Sequence, residues 1–415
     1  MSLQAVFPGL PAKILIAADR LALKLGVFRR PIRAEELIER ARRRTGLTDF
    51  GDWQFEVPLS VLLESYETEA DLSIFGRIGT RWDVLRFLTN LLRLRDEELK
   101  DPSILDEPIE RPIFILGLPR SGTTFLHNLV ARDPSNVVPR CWQTLFPYPI
   151  AGMASDTTDQ RAKLTARQYS RFLLLAPELP SLHPLEADAA QECIEITGHV
   201  FRSLRFDTTH HIPSYQAWLD REGHLEAYRF HKRFLQHLQH QNGRTRWVLK
   251  SPDHIFAIDA LRAVYPDACF VFVHRDPMKV LPSVARLTEV LRQPFSRNID
   301  RIQIGRQVSE RWRLGARMLI DAADSLRSMP HRAFHVRYPE LIKDPLGTLS
   351  SLYRHFGLTF DTRGEELFRR AIEERPNGGY GRNSYRFEDY GLNPATERHR
   401  YFSYVARFGV QTEIT

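Results

Sequence analysis

The chain has 415 residues, of which 43% are hydrophobic and 26% charged, with a formal net charge of +7. This is length for one large or two ordinary soluble domains, and the basic excess is too small to specify nucleic-acid binding. Three cysteines, Cys141, Cys193 and Cys269, are an odd number with no C-x-x-C pair. They exclude a disulfide framework and point to a reducing, cytoplasmic compartment.

Near the start, Ile14, Ala17, Ala18, Leu21 and Leu25 recur at helical spacing, but Asp19 and Arg20 interrupt the apolar run. With no small-residue cleavage site following, the segment reads as an amphipathic helix packed on the body rather than a secretory signal. Contact with a membrane surface is the less favoured reading. Arg40, Arg42, Arg43 and Arg44 follow Glu35, Glu36 and Glu39 and read as a solvated helix face. Val84, Leu85, Leu88, Leu91, Leu92 and Leu94 predict a further helix with one apolar stripe. Residues 1–108 are thus expected to be a helical extension packed on a second unit, 109–415, with prolines and acidic residues of 101–112 marking the boundary. No uncharged stretch approaches the ~18 residues of a membrane span. The longest, 141–155, contains Pro147 and Pro149 and reads as a loop.

From residue 113 the pattern alternates. Apolar strands are predicted at 113–116, 247–250, 269–273 and 333–336, with helices at 256–264, from Pro277, and at 345–356. Asp276 is the expected N-cap of the helix that Pro277 opens. Continuous apolar strands alternating with helices imply a three-layer α/β fold around a central parallel sheet. The stretch 135–245 is less regular, with one helix predicted at 226–239, and reads as an insertion that covers a substrate. His231, His237 and His240 fall on that helix and are expected to face solvent. There is no internal repeat.

Gly117-Leu118-Pro119-Arg120-Ser121-Gly122-Thr123-Thr124 directly follows the first strand and precedes a helix-like run from Phe125. Strand, glycine-bounded loop and helix form a phosphate cradle, because loop amides and the helix N-terminus point at one anion. The spacing is that of a P-loop, but Thr123 stands where that loop carries its lysine, which argues against a Mg-nucleoside triphosphate. A second anion signature is Arg275, at the end of the third apolar strand, with Ser283 eight residues later. Arginine supplies a fork suited to phosphate and serine a neutral donor.

Two phosphate stations in one sheet suggest a nucleotide phosphorylated at both ends, and here the residues resemble the sulfotransferase family that uses 3′-phosphoadenosine 5′-phosphosulfate. Residues 119–125 look like that family's 5′-phosphosulfate loop, and Arg275 through Ser283 like its 3′-phosphate motif. Leu249-Lys250-Ser251-Pro252, Tyr265-Pro266-Asp267-Ala268, Tyr338-Pro339-Glu340-Leu341 and Asp344-Pro345 match in order and position. The resemblance spans roughly 111–405 and is nearest the bacterial branch and the tyrosylprotein sulfotransferases. It implies a P-loop-like fold and sulfuryl transfer to a hydroxyl of a small molecule, lipid or glycan. The bisphosphate cosubstrate would be held by Arg120, Ser121, Gly122, Thr123, Thr124, Phe125, Arg275, Ser283 and Arg382, Phe125 stacking on adenine.

Arg120 and Lys250 are then the candidates for transition-state charge. Gln143 stands where relatives carry a glutamate base, so the base is sought elsewhere. His254 is the first candidate, since imidazole titrates near neutrality. Glu192 and Glu195, three apart and so on one side of any helix there, compete with it, followed by Glu186 and Asp188. No histidine spacing suggests a metal. Six aromatics, Phe201, Phe206, Tyr215, Trp218, Tyr228 and Phe230, hint at an apolar acceptor pocket. A small-metabolite kinase would need the missing loop lysine. A non-catalytic nucleotide-binding scaffold has only Gln143 in its favour.

Overall fold

A computed structural model describes residues 30–149, 159–182, 185–243, 246–374 and 386–413. The amphipathic segment from Ile14 to Leu25 and Arg382 lie outside the described residues. The apolar runs become β1 (Ile113–Gly117), β3 (Arg246–Lys250), β4 (Cys269–His274) and β5 (Ala333–Arg337), and a two-residue β2 (Asn136–Val137) joins them. The described residues form a five-stranded parallel sheet in the order β2-β3-β1-β4-β5. Two residues are too few for any periodicity, so β2 is invisible in the sequence.

Each central strand is buried on both faces, and successive side chains go to opposite cores. Phe114, Leu116, Trp247, Leu249, Phe270 and Phe272 point to one core. They share it with Phe87, Leu88 and Leu91 of the helix Ile74–Lys100 and with Phe230, Phe234 and Leu238 of the helix Leu225–Asn242. Ile113, Ile115, Val248, Val271 and Val273 point to the other, against Leu126 and Leu129 of the helix Thr123–Val130 and Leu349 and Leu352 of Pro345–His355. Layers of helix, sheet and helix result, and the N-terminal helices complete the larger core.

Several details depart from the pattern read above. The helix expected at 256–264 opens as a 3₁₀ turn, Pro252–Ala257, and becomes α-helical only over Ile258–Val264. Cys141–Leu145, within the segment read as a loop, is a short helix. The described residues of the insertion 135–245 are largely helical, including Gln160–Leu173 and Pro213–Glu222. His231 and His237 do not face solvent. Both are buried, His231 sharing a 2.7 Å hydrogen bond with the Tyr265 hydroxyl and His237 a 3.0 Å contact with Glu98. The helix is amphipathic, and these two histidines lie on its inner stripe beside Phe230, Phe234 and Leu238.

An ion-pair network ties the insertion to the N-terminal helices. Glu195 meets Arg86 at 2.5 Å and Arg205 at 2.9 Å, and Asp83 meets Arg86 at 2.7 Å and also pairs with Arg205. Burial alone would raise the Asp83 carboxyl, but Arg205 and Arg86 together hold it down at about 2 instead of 3.8. A depressed carboxyl favours the native state when ionised, so this contribution is complete above pH ~4 and is lost as pH falls towards 2. The melting temperature is therefore expected to drop over that window. Asp83→Asn should flatten part of the drop and cost about 3 kcal/mol at neutral pH, because it leaves the buried Arg86 and the partly buried Arg205 short of a partner. Thermal unfolding as a function of pH checks both.

Candidate active site

The order β3-β1-β4 brings three carboxyl-terminal loops side by side, at the place where ligands sit in open parallel sheets. The loop after β1 is shaped by its backbone. A Cβ on Gly117 would lie 2.3 Å from the Val273 carbonyl oxygen of β4, so only glycine permits this approach. Arg120 (φ 62°) and Gly122 (φ 97°) are both left-handed, and a Cβ on Gly122 would lie 2.6 Å from the Tyr338 ring. The chain thus turns sharply and enters the helix Thr123–Val130. Ser121 is fully buried, and its hydroxyl has no hydrogen-bond partner among the described residues. An orphaned hydroxyl in a cradle at a helix start fits an anion that would complete it.

Lys250 ends β3 with its side chain only 2% exposed. Its ammonium donates to Thr124 Oγ1 at 3.1 Å and forms a close ion pair with Glu192. The cation absent from position 123 of the loop is thus delivered from the neighbouring strand. Glu192 is brought there by pairing of two distant segments. Cys141 and Trp142 donate backbone hydrogen bonds of 3.0 Å to Ala189 and Ala187, and Gln191 donates at 2.7 Å to Pro139. Gln143 is buried and caps its own helix, its side-chain oxygen accepting from the Arg140 amide at 2.8 Å. Asp188 serves the same strap, accepting from the Trp142 indole at 3.2 Å.

Glu192 and Glu195 do not share a face. Glu192 is extended (φ −80°, ψ 145°) before the helix Cys193–Thr197, and Glu195 turns away into the Arg86–Arg205 network. His254 is also placed elsewhere. Its ring is fully buried, shares a 2.6 Å hydrogen bond with Tyr228, and stands edge-on to Phe114 at 5.0 Å. Phe114 and Lys250 belong to opposite faces of the sheet, so His254 and Lys250 do not meet. Burial pushes the imidazole well below its usual range.

Asp253, one residue earlier, was not among the candidates. It is half-buried and makes no ion pair among the described residues. Burial first, and the charge of Glu192 second, push its carboxyl up to about 8 against the opposing pull of Arg311. The only available signal was its position three residues after Lys250, because burial of a turn residue leaves no periodic trace.

The third loop follows β4. Asp276 caps the helix Pro277–Arg292, accepting from the Met278 amide at 2.9 Å, as its Asp-Pro start predicts. Arg275 lies over the Tyr338 ring at 3.9 Å, donates to the Arg120 carbonyl at 2.8 Å, and grips the Glu413 carboxylate at 2.8 and 3.0 Å. Arg120 turns towards this station, donating to Ser283 Oγ at 3.2 Å and to the Leu182 carbonyl at 2.9 Å. Arg120, Arg275 and Ser283 are therefore one cluster, and Thr124, Lys250 and Glu192 another, with Ser121 in the loop that joins them.

Phe125 is buried in the core beneath the loop helix, so its ring serves packing. The six aromatics from Phe201 to Phe230 are likewise core residues, none more than 8% exposed, which withdraws the hint of an apolar pocket. Among the described residues no His, Cys, Asp or Glu grouping is suited to a metal, and no helix is long and apolar enough to cross a membrane.

The family model for the sulfotransferase family matches residues 112–362, which contain all three strand-end loops. The chain belongs to the sulfotransferase family. The omega-hydroxy-beta-dihydromenaquinone-9 sulfotransferase Stf3 of Mycobacterium bovis is 30% identical over 259 residues, covering 60% of this chain and 63% of that protein. Among solved structures, sulfotransferase STF1 of Mycobacterium tuberculosis H37Rv superimposes with a TM-score of 0.79 at 31% identity, over 90% of this chain and 99% of that one. Sulfotransferase STF9 of Mycobacterium avium superimposes with a TM-score of 0.83 at 26% identity, over 94% of this chain and 100% of that one. The five-stranded parallel sheet with its P-loop-like turn is thus the sulfotransferase fold.

In this member of the sulfotransferase family the approach of β1 to β4 leaves no room for a side chain at Gly117. Gly117→Ala is expected to lower stability by about 1–3 kcal/mol in urea unfolding, as overpacking against backbone does. It should weaken anion binding in the loop as well.

Proposed function

We propose that the chain transfers a sulfuryl group from 3′-phosphoadenosine 5′-phosphosulfate to a hydroxyl of an organic small molecule or lipid. The observation that carries this reading is the pair of anion stations on adjoining strand ends. One is the Ser121 cradle with Lys250, and the other is Arg275 with Ser283 and Arg120. They fit the two phosphorylated ends of one nucleotide. Ser121, Gly122, Thr123 and Thr124 would hold the 5′ end, and Arg275, Ser283 and Arg120 the 3′ end. When bound, this cosubstrate supplies the activated sulfuryl group. The insertion 135–245, which delivers Glu192, is proposed to cover the acceptor.

Lys250 is positioned to offset charge growing on the leaving phosphate, a role that needs no metal. Glu192 orients that ammonium. Asp253 is assigned the acceptor's proton. Burial, with the charge of Glu192 beside it, raises its carboxyl and so strengthens it as a base. A hydroxylated lipid is the favoured acceptor, because the mycobacterial relative is named for a hydroxylated menaquinone. Three buried free cysteines support a reducing, cytoplasmic setting.

Calorimetry and melting with 3′,5′-adenosine bisphosphate test the cosubstrate. Binding without divalent metal should stabilise the protein by about 2.7 kcal/mol at 100 times the dissociation constant. Arg275→Ala should weaken that binding, whereas Lys250→Ala should chiefly lower turnover. A shift with ATP-Mg but none with the bisphosphate would favour a kinase instead.

The base assignment predicts a turnover that rises with pH through about 8, as Asp253 loses its proton. Asp253→Asn should lose ~10²–10⁴ in rate and this limb with it. Glu192→Gln should move the limb to lower pH, because removing a neighbouring negative charge lowers the carboxyl's pKa. Rate–pH profiles of the three proteins decide. An unchanged Asp253→Asn beside a dead Glu192→Gln would make Glu192 the base.

A further inference from the structure

Glu413 lies outside the residues matched by the family model, yet it occupies the fork of Arg275. The helix Phe402–Phe408 ends at left-handed Gly409 (φ 59°), and Val410 donates back to the Val405 carbonyl at 3.0 Å. The chain then returns across the end of β4. There the Glu413 amide donates to Asp276 Oδ2 at 3.0 Å. Asp276 Oδ1 accepts from the Met278 amide, so one carboxylate anchors both the start of the helix Pro277–Arg292 and the tail. This anchoring sets Glu413 beside Arg275, whose Nε and Nη2 donate to its two oxygens at 2.8 and 3.0 Å.

Elsewhere the guanidinium also has partners in this chain. Nη1 donates to the Arg120 carbonyl, and one face stacks on Tyr338. The Nε–Nη2 fork held by Glu413 is the edge suited to bidentate binding of a phosphate. Two carboxylate oxygens on one guanidinium edge reproduce the bidentate geometry that a phosphate uses. Both side chains remain about one-fifth exposed, so the pair can open to solvent and exchange.

The geometry points to Glu413 as a tethered competitor for the nucleotide's 3′-phosphate, so that cosubstrate binding and bisphosphate release are exchanges at Arg275. This rests on the assignment of Arg275 to the 3′-phosphate. A tethered group competes at a high effective concentration without being consumed. The carboxylate weakens binding of 3′-phosphorylated nucleotides and re-forms its pair as the product bisphosphate leaves. A nucleotide without the 3′-phosphate has nothing to exchange and leaves the pair closed.

The test is calorimetry on the full chain at one ionic strength, with 3′,5′-adenosine bisphosphate and with adenosine 5′-monophosphate. The proteins are wild type, Glu413→Gln, Glu413→Ala, Arg275→Ala and the Arg275→Ala/Glu413→Gln double variant. Glu413→Gln is expected to bind the bisphosphate about 3- to 30-fold more tightly, the range spanned by exposed and partly buried Arg–carboxylate pairs. Binding of the monophosphate should be unmoved, and Glu413→Ala should agree in direction. In the Arg275→Ala background the Gln substitution should change nothing, since the competition acts through that guanidinium. Unchanged or weaker bisphosphate binding in Glu413→Gln overturns the proposal, as does an equal gain for both nucleotides. If wild type does not prefer the bisphosphate and Arg275→Ala has no effect on it, the 3′-phosphate assignment itself fails, and the competitor with it. A wild type that prefers the bisphosphate through Arg275 but is insensitive to Glu413 sinks only the competitor.

Discussion

A cation withdrawn from water must be matched by an anion nearby, or folding leaves an uncompensated charge. The site is organised by that requirement. Lys250 is buried at the end of β3 and is met by Glu192. Arg275 is half-enclosed by Tyr338 and the Arg120 carbonyl and is met by Glu413. Lys250 and Arg275, two of the cations proposed to face a nucleotide phosphate, each already have a carboxylate of this chain on them. The two carboxylates come from separate parts of the chain, one from the insertion and one from the C-terminal tail.

The sheet makes this possible. Parallel pairing of β1 with both β3 and β4 aligns their carboxyl ends, and the absence of a side chain at Gly117 lets β1 lie close to Val273. Because the strands alternate between two cores, a residue's parity decides its role. Ile115 and Lys250 are partners on the face of the loop helix, whereas Phe114 and Leu249 face the helical N-terminal layer. Lys250 is therefore directed to Thr124, while His254 lies with Phe114 and Tyr228.

The same parity explains which residues could be read from the chain and which could not. β1, its loop and the loop helix were legible because they are local: an apolar run, two glycines and a helical period. The capping of Pro277–Arg292 by Asp276 was legible for the same reason. His254 was not, because a histidine after a strand can fall on either side of the sheet once the chain turns through a 3₁₀ segment. Glu195 was read together with Glu192 on the premise of a helix that begins only after Glu192. The aromatics from Phe201 to Phe230 looked like a pocket, and a large helical layer consumed them as core.

The sequence by itself determined the strand-loop-helix order, the parallel α/β class and the kinds of cation present, because these follow from spacing over a few residues. Only the tertiary structure decided which carboxylate meets which cation. Glu192 and Lys250 are 58 positions apart, and Arg275 and Glu413 are 138 apart. No local rule relates residues so distant. Their meeting depends on how a backbone strap and a returning tail pack over the sheet, and that is settled by hydrogen bonds and burial formed only in the folded chain.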